Sequence, residues 1–402
     1  MGMFKRLGIT SVVVVLQACG GGSGTGTETS GSGTDAGTST AAMMGSTSTP
    51  EPTTGTPMPT SAAPLTTTDT TDTTDTTTDT TGPGSFCGDG VLDPGEACDD
   101  ANGDPDDGCG SSCATECGFL CLAVGEPCTP GFHAVQCASP GPPFGQASPI
   151  ANNCQLATLS VDGAYIALSP ATTVDGEARH LDAIYTDPDN AVFGFAGDTE
   201  DLAAGSRLVA VNTATGELTP LGPSLGVWIM GAAMNDEGEL WVTVFDTYER
   251  NATTEVSIAR VDPIAGEFSD GPTPLTEGGV PVTVWSTHVS DVAFRFDGAM
   301  FISANEPGPP PPDPLSRYLE IDRATATVVS AVEGPGDIYA AGIVFVGEEA
   351  QVVAMDIRNE DDIYILDLSA PPMLDATLLY PDPIPTNSGT ADLAGCAKLE
   401  PQ

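Results

Sequence analysis

Residues 154–402 are predicted to fold as an all-β ring of about five four-stranded blades, a β-propeller, with six blades as the alternative. Three observations carry this. A hairpin signal recurs four times, a second strand ending in Asn or Asp follows each copy, and a fifth opening near the C-terminus is never completed. No helical apolar period competes anywhere in the region.

The hairpins follow in order. Leu181–Tyr185 turns at Asp187–Asn190 into Ala191–Phe195, and Gly231–Met234 turns at Asn235–Gly238 into Leu240–Val244. Asp291–Phe296 turns at Asp297-Gly298 into Met300–Ile302, and Gly342–Val346 turns at Gly347–Glu349 into Gln351–Ala354. Asn, Asp and Gly suit such turns because they tolerate positive φ or bond their own backbone. The second strands are Arg207–Asn212, Ser257–Asp262, Arg317–Asp322 and Asp362–Asp367. Two hairpins per repeat give a unit of roughly 45–60 residues, the size of a propeller blade. A β-sandwich with coincidental periodicity is the competing fold.

Ala391-Asp392-Leu393-Ala394 copies the opening Ser290-Asp291-Val292-Ala293, yet the chain stops soon after. The strand-like segment Leu156–Leu168 is expected to complete that blade, since a shared blade removes open sheet edges. Cys154 and Cys396 flank the two segments and are expected to form a disulfide across the seam.

Residues 87–140 read as a separate, stapled module. Cys87, Cys98, Cys109, Cys113, Cys117, Cys121, Cys128 and Cys137 are crowded among few large apolar side chains, too few for a core without bridges. They are expected to pair among themselves, and eight cysteines allow 105 pairings. Cys109, Cys113, Cys117 and Cys121 recur every four residues, which predicts one face of a short helix. Their spacing is unlike the short Cys-x2-Cys pairs of zinc sites. Asp99, Asp100, Asn102 and Asp107, with Asp104 and Asp106 between, are the candidate ligands for calcium, the one cofactor considered, although the spacing is not that of an EF-hand. The run Cys87-Gly-Asp-Gly, Gly95-Glu-Ala-Cys98-Asp-Asp, Asp107-Gly-Cys109, Cys113 resembles the disulfide-rich repeat of myxobacterial-type surface proteins, apart from Ala101 where that repeat has Gly. The resemblance implies a small exported module with no activity attached.

Residues 19–86 are Gly, Ser, Thr and Pro with Asp69, Asp72, Asp75 and Asp79 set in threonine, and they lack any apolar pattern. Such a stretch cannot bury enough surface to offset its ordering entropy and is expected to be a stalk reaching at least about 45 Å. Residues 1–18 read as a signal peptide: Lys5 and Arg6, apolar Leu7–Leu16, then Ala18 before Cys19. Leu16-Gln17-Ala18-Cys19 resembles the lipobox of bacterial lipoproteins, which implies that Cys19 is acylated and the leader removed. Gly20 at the next position resembles the class sorted to the outer membrane, so the expected location is lipid-anchored and surface-exposed. Removing Cys19 from 11 cysteines leaves an even number, as export into an oxidising compartment favours.

With 11 Lys and Arg against 56 Asp and Glu, the chain has a formal net charge of −45. Such a surface repels phosphate backbones, which excludes nucleic acid as a partner. The three histidines, His133, His180 and His288, are scattered, and neither a Gly-x-Ser-x-Gly elbow nor a His-Glu-x-x-His pair occurs. No residue is assigned as catalytic. Asn212-Thr-Ala-Thr-Gly216 resembles a turn of quinoprotein-like propellers, but Trp228, Trp241 and Trp285 do not recur at one blade position as docking tryptophans would. The Pro309–Pro312 run is read as an exposed hairpin loop. The expected function is a binding or adhesion platform for an extracellular protein or glycan. The alternative is a calcium-assisted propeller hydrolase or lactonase, with Asp182, Asp291 and Asp392 converging on the central channel.

Overall fold

The computed structural model describes residues 87–138 and 153–396, except for residue 106 and the segments 198–203, 246–252, 286–289, 306–315, 336–337, 339, 347–350, 357–361, 370–375, 382 and 385–390. Cys19, the stalk, His288 and Pro309–Pro312 lie outside the described residues.

The chain forms a five-bladed β-propeller. Blade 2 is built from His180–Thr186, Val192–Gly197, Ser206–Val211 and Leu218–Ser224. Blade 3 is Trp228–Met234, Leu240–Phe245, Ser257–Val261 and Phe268–Pro274. Blade 4 is Val292–Phe294, Met300–Asn305, Ser316–Asp322 and Thr327–Glu333, widened at its outer edge by Thr276–Glu277 and Val280–Pro281. Blade 5 is Ala340–Val346, Gln351–Asp356, Ile363–Asp367 and Ala376–Tyr380. The four main strands of each of these blades pair antiparallel, and Thr276–Glu277 joins the edge of blade 4 in parallel with Thr327–Glu333. The strand-ending Asn and Asp residues make Asx turns: Asn212 accepts from the Ala214 and Thr215 amides, Asp262 from Ile264 and Ala265, and Asp322 from Ala324. That local bond explains why each third strand stops there.

Blade 1 closes the ring from both ends of the domain and contains the expected Leu156–Leu168 segment, but a further strand lies between that segment and Ala391–Ala394. Ala391–Ala394 pairs with Thr129–Ala138, and Asn153–Ser160 and Ile166–Ala171 continue outward. The propeller therefore begins inside the stretch assigned to the cysteine module. Gly131 to Cys137 are buried throughout. A strand covered on both faces shows no period-2 alternation in its sequence.

This strand also redirects the disulfides. Cys137 and Cys154 sit directly opposite one another on adjacent strands and are bonded, with α-carbons 3.8 Å apart. Cys396 instead bonds Cys117, with α-carbons 5.6 Å apart. The expected Cys154–Cys396 pair is thus corrected, as is pairing of the eight module cysteines only with one another. Cys98–Cys109 and Cys121–Cys128 remain internal to the module. Cys87 and Cys113 carry no bond and lie with their side chains in contact.

The expected cysteine helix is absent among the described residues. Gly108 and Gly118 adopt φ of +111° and +85°, and Cys113 itself lies at φ 56°. These left-handed residues break any helical run. The module instead leans on blade 2. Asn190 donates to the Phe119 carbonyl at 3.2 Å and accepts from the Gly118 amide at 3.4 Å.

Candidate functional site

Three inner strands carry an aspartate at or beside their starting end, and Asp182, Asp291 and Asp392 are all fully buried. A bulge recurs at this level. The pairing skips Asp182 in blade 2, Met230 in blade 3 and Ala341 in blade 5. Two residues beyond each bulge, the amides of Ile184, Ala232 and Ile343 are hydrogen-bonded to an aspartate from another blade. Asp392 Oδ2 accepts Ile184 at 2.7 Å. Asp291 Oδ2 accepts Ile343 at 2.6 Å, its Oδ1 accepts Val292 at 2.6 Å, and its carboxyl also accepts Ala232. Asp291 thereby ties blades 3, 4 and 5, and Asp392 ties blade 1 to blade 2.

The Asp291 and Asp392 side chains also lie against each other. Burial pushes Asp291 well above the usual carboxylate range, and burial followed by the charge of Asp291 does the same to Asp392. Two carboxyls so placed share a proton, because both cannot ionise in a dry contact. Asp182 is occupied elsewhere, with His180 Nε2 2.7 Å from its Oδ1 and the Ser206 hydroxyl 3.3 Å from its Oδ2. Ser206 Oγ in turn accepts the Ile229 amide at 3.0 Å. Two of the three sequence-selected aspartates are brought together, and all three serve as clasps between or within blades. Beyond them the axis narrows to a void of about 10 Å³ lined by Ala232, Val292, Ile343 and Leu393. That is room for one water at most.

His133 is buried, with Nδ1 3.0 Å from Thr158 Oγ1, and burial lowers it to about 4. His180 packs its Nδ1 3.8 Å from Cys154 Sγ. Both are internal strand residues.

A larger opening, of about 640 Å³, lies between blades 3 and 4 at the hairpin-turn end. Trp241 forms its back wall, with the guanidinium of Arg260 5.8 Å and that of Arg323 5.9 Å from its ring centre. Arg323 also sits 5.5 Å from the Phe294 ring. Glu239 ties the group together: it accepts Trp241 Nε1 at 3.2 Å, Asn235 Nδ2 at 3.0 Å and Arg260 Nη1 at 2.6 Å. Burial opposes its charge, but these donors outweigh burial and hold Glu239 below its usual range. Arg323 approaches Glu239 only to 3.7 Å and makes no hydrogen bond among the described residues. Asp270, Asp297 and Asp322 complete the rim. Sequence reasoning missed this groove because its residues come from two blades and follow no motif. The available signal was the convergence of Arg260 and Arg323 on equivalent strand ends in a chain poor in Arg.

In the module, Asp99, Asp100, Asn102 and Asp107 are adjacent but differently engaged. Asp99 Oδ2 accepts the amides of Gly88 at 3.0 Å and Asp89 at 3.2 Å, and its Oδ1 accepts those of Gly90 at 2.8 Å and Ala101 at 2.9 Å. Burial works against that charge, and the four backbone donors together still hold Asp99 below its usual range.

No family model matches the chain, and no curated protein matches it. Among solved structures, the chain is similar to the Kuenenia stuttgartiensis hydrazine synthase at 12% identity, covering 60% of this chain and 70% of that one with a TM-score of 0.32. It is similar to a periplasmic gluconolactonase of Pseudomonas aeruginosa at 10% identity, covering 61% and 67% with a TM-score of 0.35. It is also similar to a gluconolactonase of Xanthomonas campestris at 10% identity, covering 59% and 74% with a TM-score of 0.35. At such low scores, the propeller assignment stands on the strand pairing of this chain alone.

Proposed function

We propose that this chain is an exported lipoprotein, anchored through Cys19 in the outer membrane and raised on its threonine-rich stalk, whose propeller is a binding module. Its ligand is engaged in the groove between blades 3 and 4, not on the propeller axis. The observation that carries this reading is the contrast between an axis sealed by aspartate clasps and an open groove in which the Arg323 guanidinium makes no hydrogen bond among the described residues. The groove sets the Arg323 guanidinium and the Arg260–Asp270 ion pair, 3.8 Å apart, beside the Asp322 carboxylate. A simple anion would meet those carboxylates as repulsion, and a cation would meet Arg260 and Arg323. A polyhydroxylated ligand supplies donors and acceptors together, so a glycan fits the chemistry best.

The test is binding of the full mature chain to an array of defined oligosaccharides. Binding that weakens at least 10-fold in Arg323→Gln supports the reading. A silent array, or an Arg323→Gln variant that binds like wild type, overturns it. Calcium-dependent hydrolysis of a lactone that is lost in Asp291→Asn would favour the hydrolase alternative. The anchor is tested separately: Cys19→Ser should leave the membrane fraction, and retention there with the leader cleaved refutes acylation.

A further inference from the structure

We propose that the Asp99–Asp107 loop of the disulfide module holds one Ca2+ ion, with Asp100 Oδ2 and Asp107 Oδ1 as its first two ligands. The loop offers several oxygen-bearing side chains, and the structure sorts them. Asp99 is taken by four backbone N–H groups, which surround it with positive dipole ends and leave a cation no favourable approach. Asn102 is also engaged: its amide nitrogen donates to Asp107 Oδ2 at 2.9 Å and its carbonyl accepts the Asp104 amide at 2.7 Å.

Asp100 and Asp107 remain. Their side chains lie beside each other, Asp100 is only 4% exposed, and Asp100 Oδ2 and Asp107 Oδ1 are both buried with no donor among the described residues. An unpaired buried carboxylate oxygen is costly, and two facing each other are more so. Either a shared proton or a bound cation relieves such a contact. No Lys or Arg occurs between Cys19 and Arg179, so the module has no cationic side chain of its own to do so.

A hard divalent ion matches what is present. The free donors are all oxygen, while the flanking Cys98 and Cys109 are bonded to each other and unavailable as thiolates. Calcium takes six to eight oxygens and accepts backbone carbonyls and water to complete its shell. The Cys98–Cys109 bridge holds its α-carbons 5.8 Å apart and spans most of the loop, so part of the ordering cost of binding is already met.

The experiment titrates the full mature chain with Ca2+ alone, by calorimetry and by thermal melting, after chelation. A net charge of −45 attracts calcium diffusely, so the reading is the difference between variants. Wild type and the control Asp104→Asn should show one saturable site, with a Kd of about 10⁻⁴–10⁻³ M as in extracellular modules. Asp107→Asn should lose that site and the calcium-induced rise in Tm. Its calcium-free Tm should be no lower than that of wild type, because a buried like-charge contact is removed. An Asp107→Asn variant that keeps the calcium response overturns the proposal. So does a wild type without a saturable site, which would make the pair a proton-sharing structural contact.

Discussion

Between Cys87 and Cys128, the one large aromatic or aliphatic side chain buried among the described residues is Phe119. In the propeller, strands such as Leu240–Phe245 and Ala340–Val346 are buried along their whole length. The module closes by covalent bridges and a carboxylate cradled by amides. The propeller closes by apolar packing, with Asp182, Asp291 and Asp392 buried at the axis. The comparison shows one residue type used in opposite electrostatic settings. Asp99, with four N–H donors, is held ionised, whereas Asp291 and Asp392, pressed against each other, are held towards the protonated form.

The largest test of this contrast concerns the bridges. Cys117–Cys396 spans a sequence separation of 279 and Cys121–Cys128 one of 7. Chain-entropy arithmetic gives upper estimates of about 5.6 and about 2.5 kcal/mol for loops of these lengths. Replacing both cysteines of each pair by serine should therefore cost the seam bridge more, as read by urea unfolding. Equal losses would mean that blade 1 is already held by its strand pairing, so that the bridge adds little.

A smaller effect is expected at the axis. Asp392→Ala leaves the Ile184 amide without its acceptor and should cost about 1–3 kcal/mol. A cost below about 0.5 kcal/mol would show that the clasp is dispensable to ring closure.

The smallest is a slope. Because the folded-state affinity of the Asp291–Asp392 pair for protons is raised, its contribution is full below the unfolded carboxylate value of about 4 and is lost as pH rises through the raised folded value. Unfolding free energy measured from pH 4.5 to 9 should fall less steeply in Asp392→Asn than in wild type. Identical slopes would place the titration elsewhere.

Blade rhythm was legible because hairpin turns and strand-ending Asx residues are local: Asp187–Asn190, Asn235–Gly238 and Asn212 each declare their own geometry within a few residues. The axial aspartates were also legible as a repeated position, though their role was not, since the amides they accept belong to other blades. The groove was not legible, because Trp241 and Arg323 meet only when blades 3 and 4 are placed side by side.

By itself, then, the sequence determined an all-β ring of about five blades, a cysteine-rich segment before it, and a strongly acidic chain. Tertiary structure alone decided which strand completes blade 1, and with it the cysteine pairing. Gly131–Cys137 is buried throughout and carries no alternation, and Cys137 meets Cys154 only through strand register. Local signals are written in neighbouring residues. Partners brought together by ring closure are chosen by burial and register, which no short stretch of sequence contains.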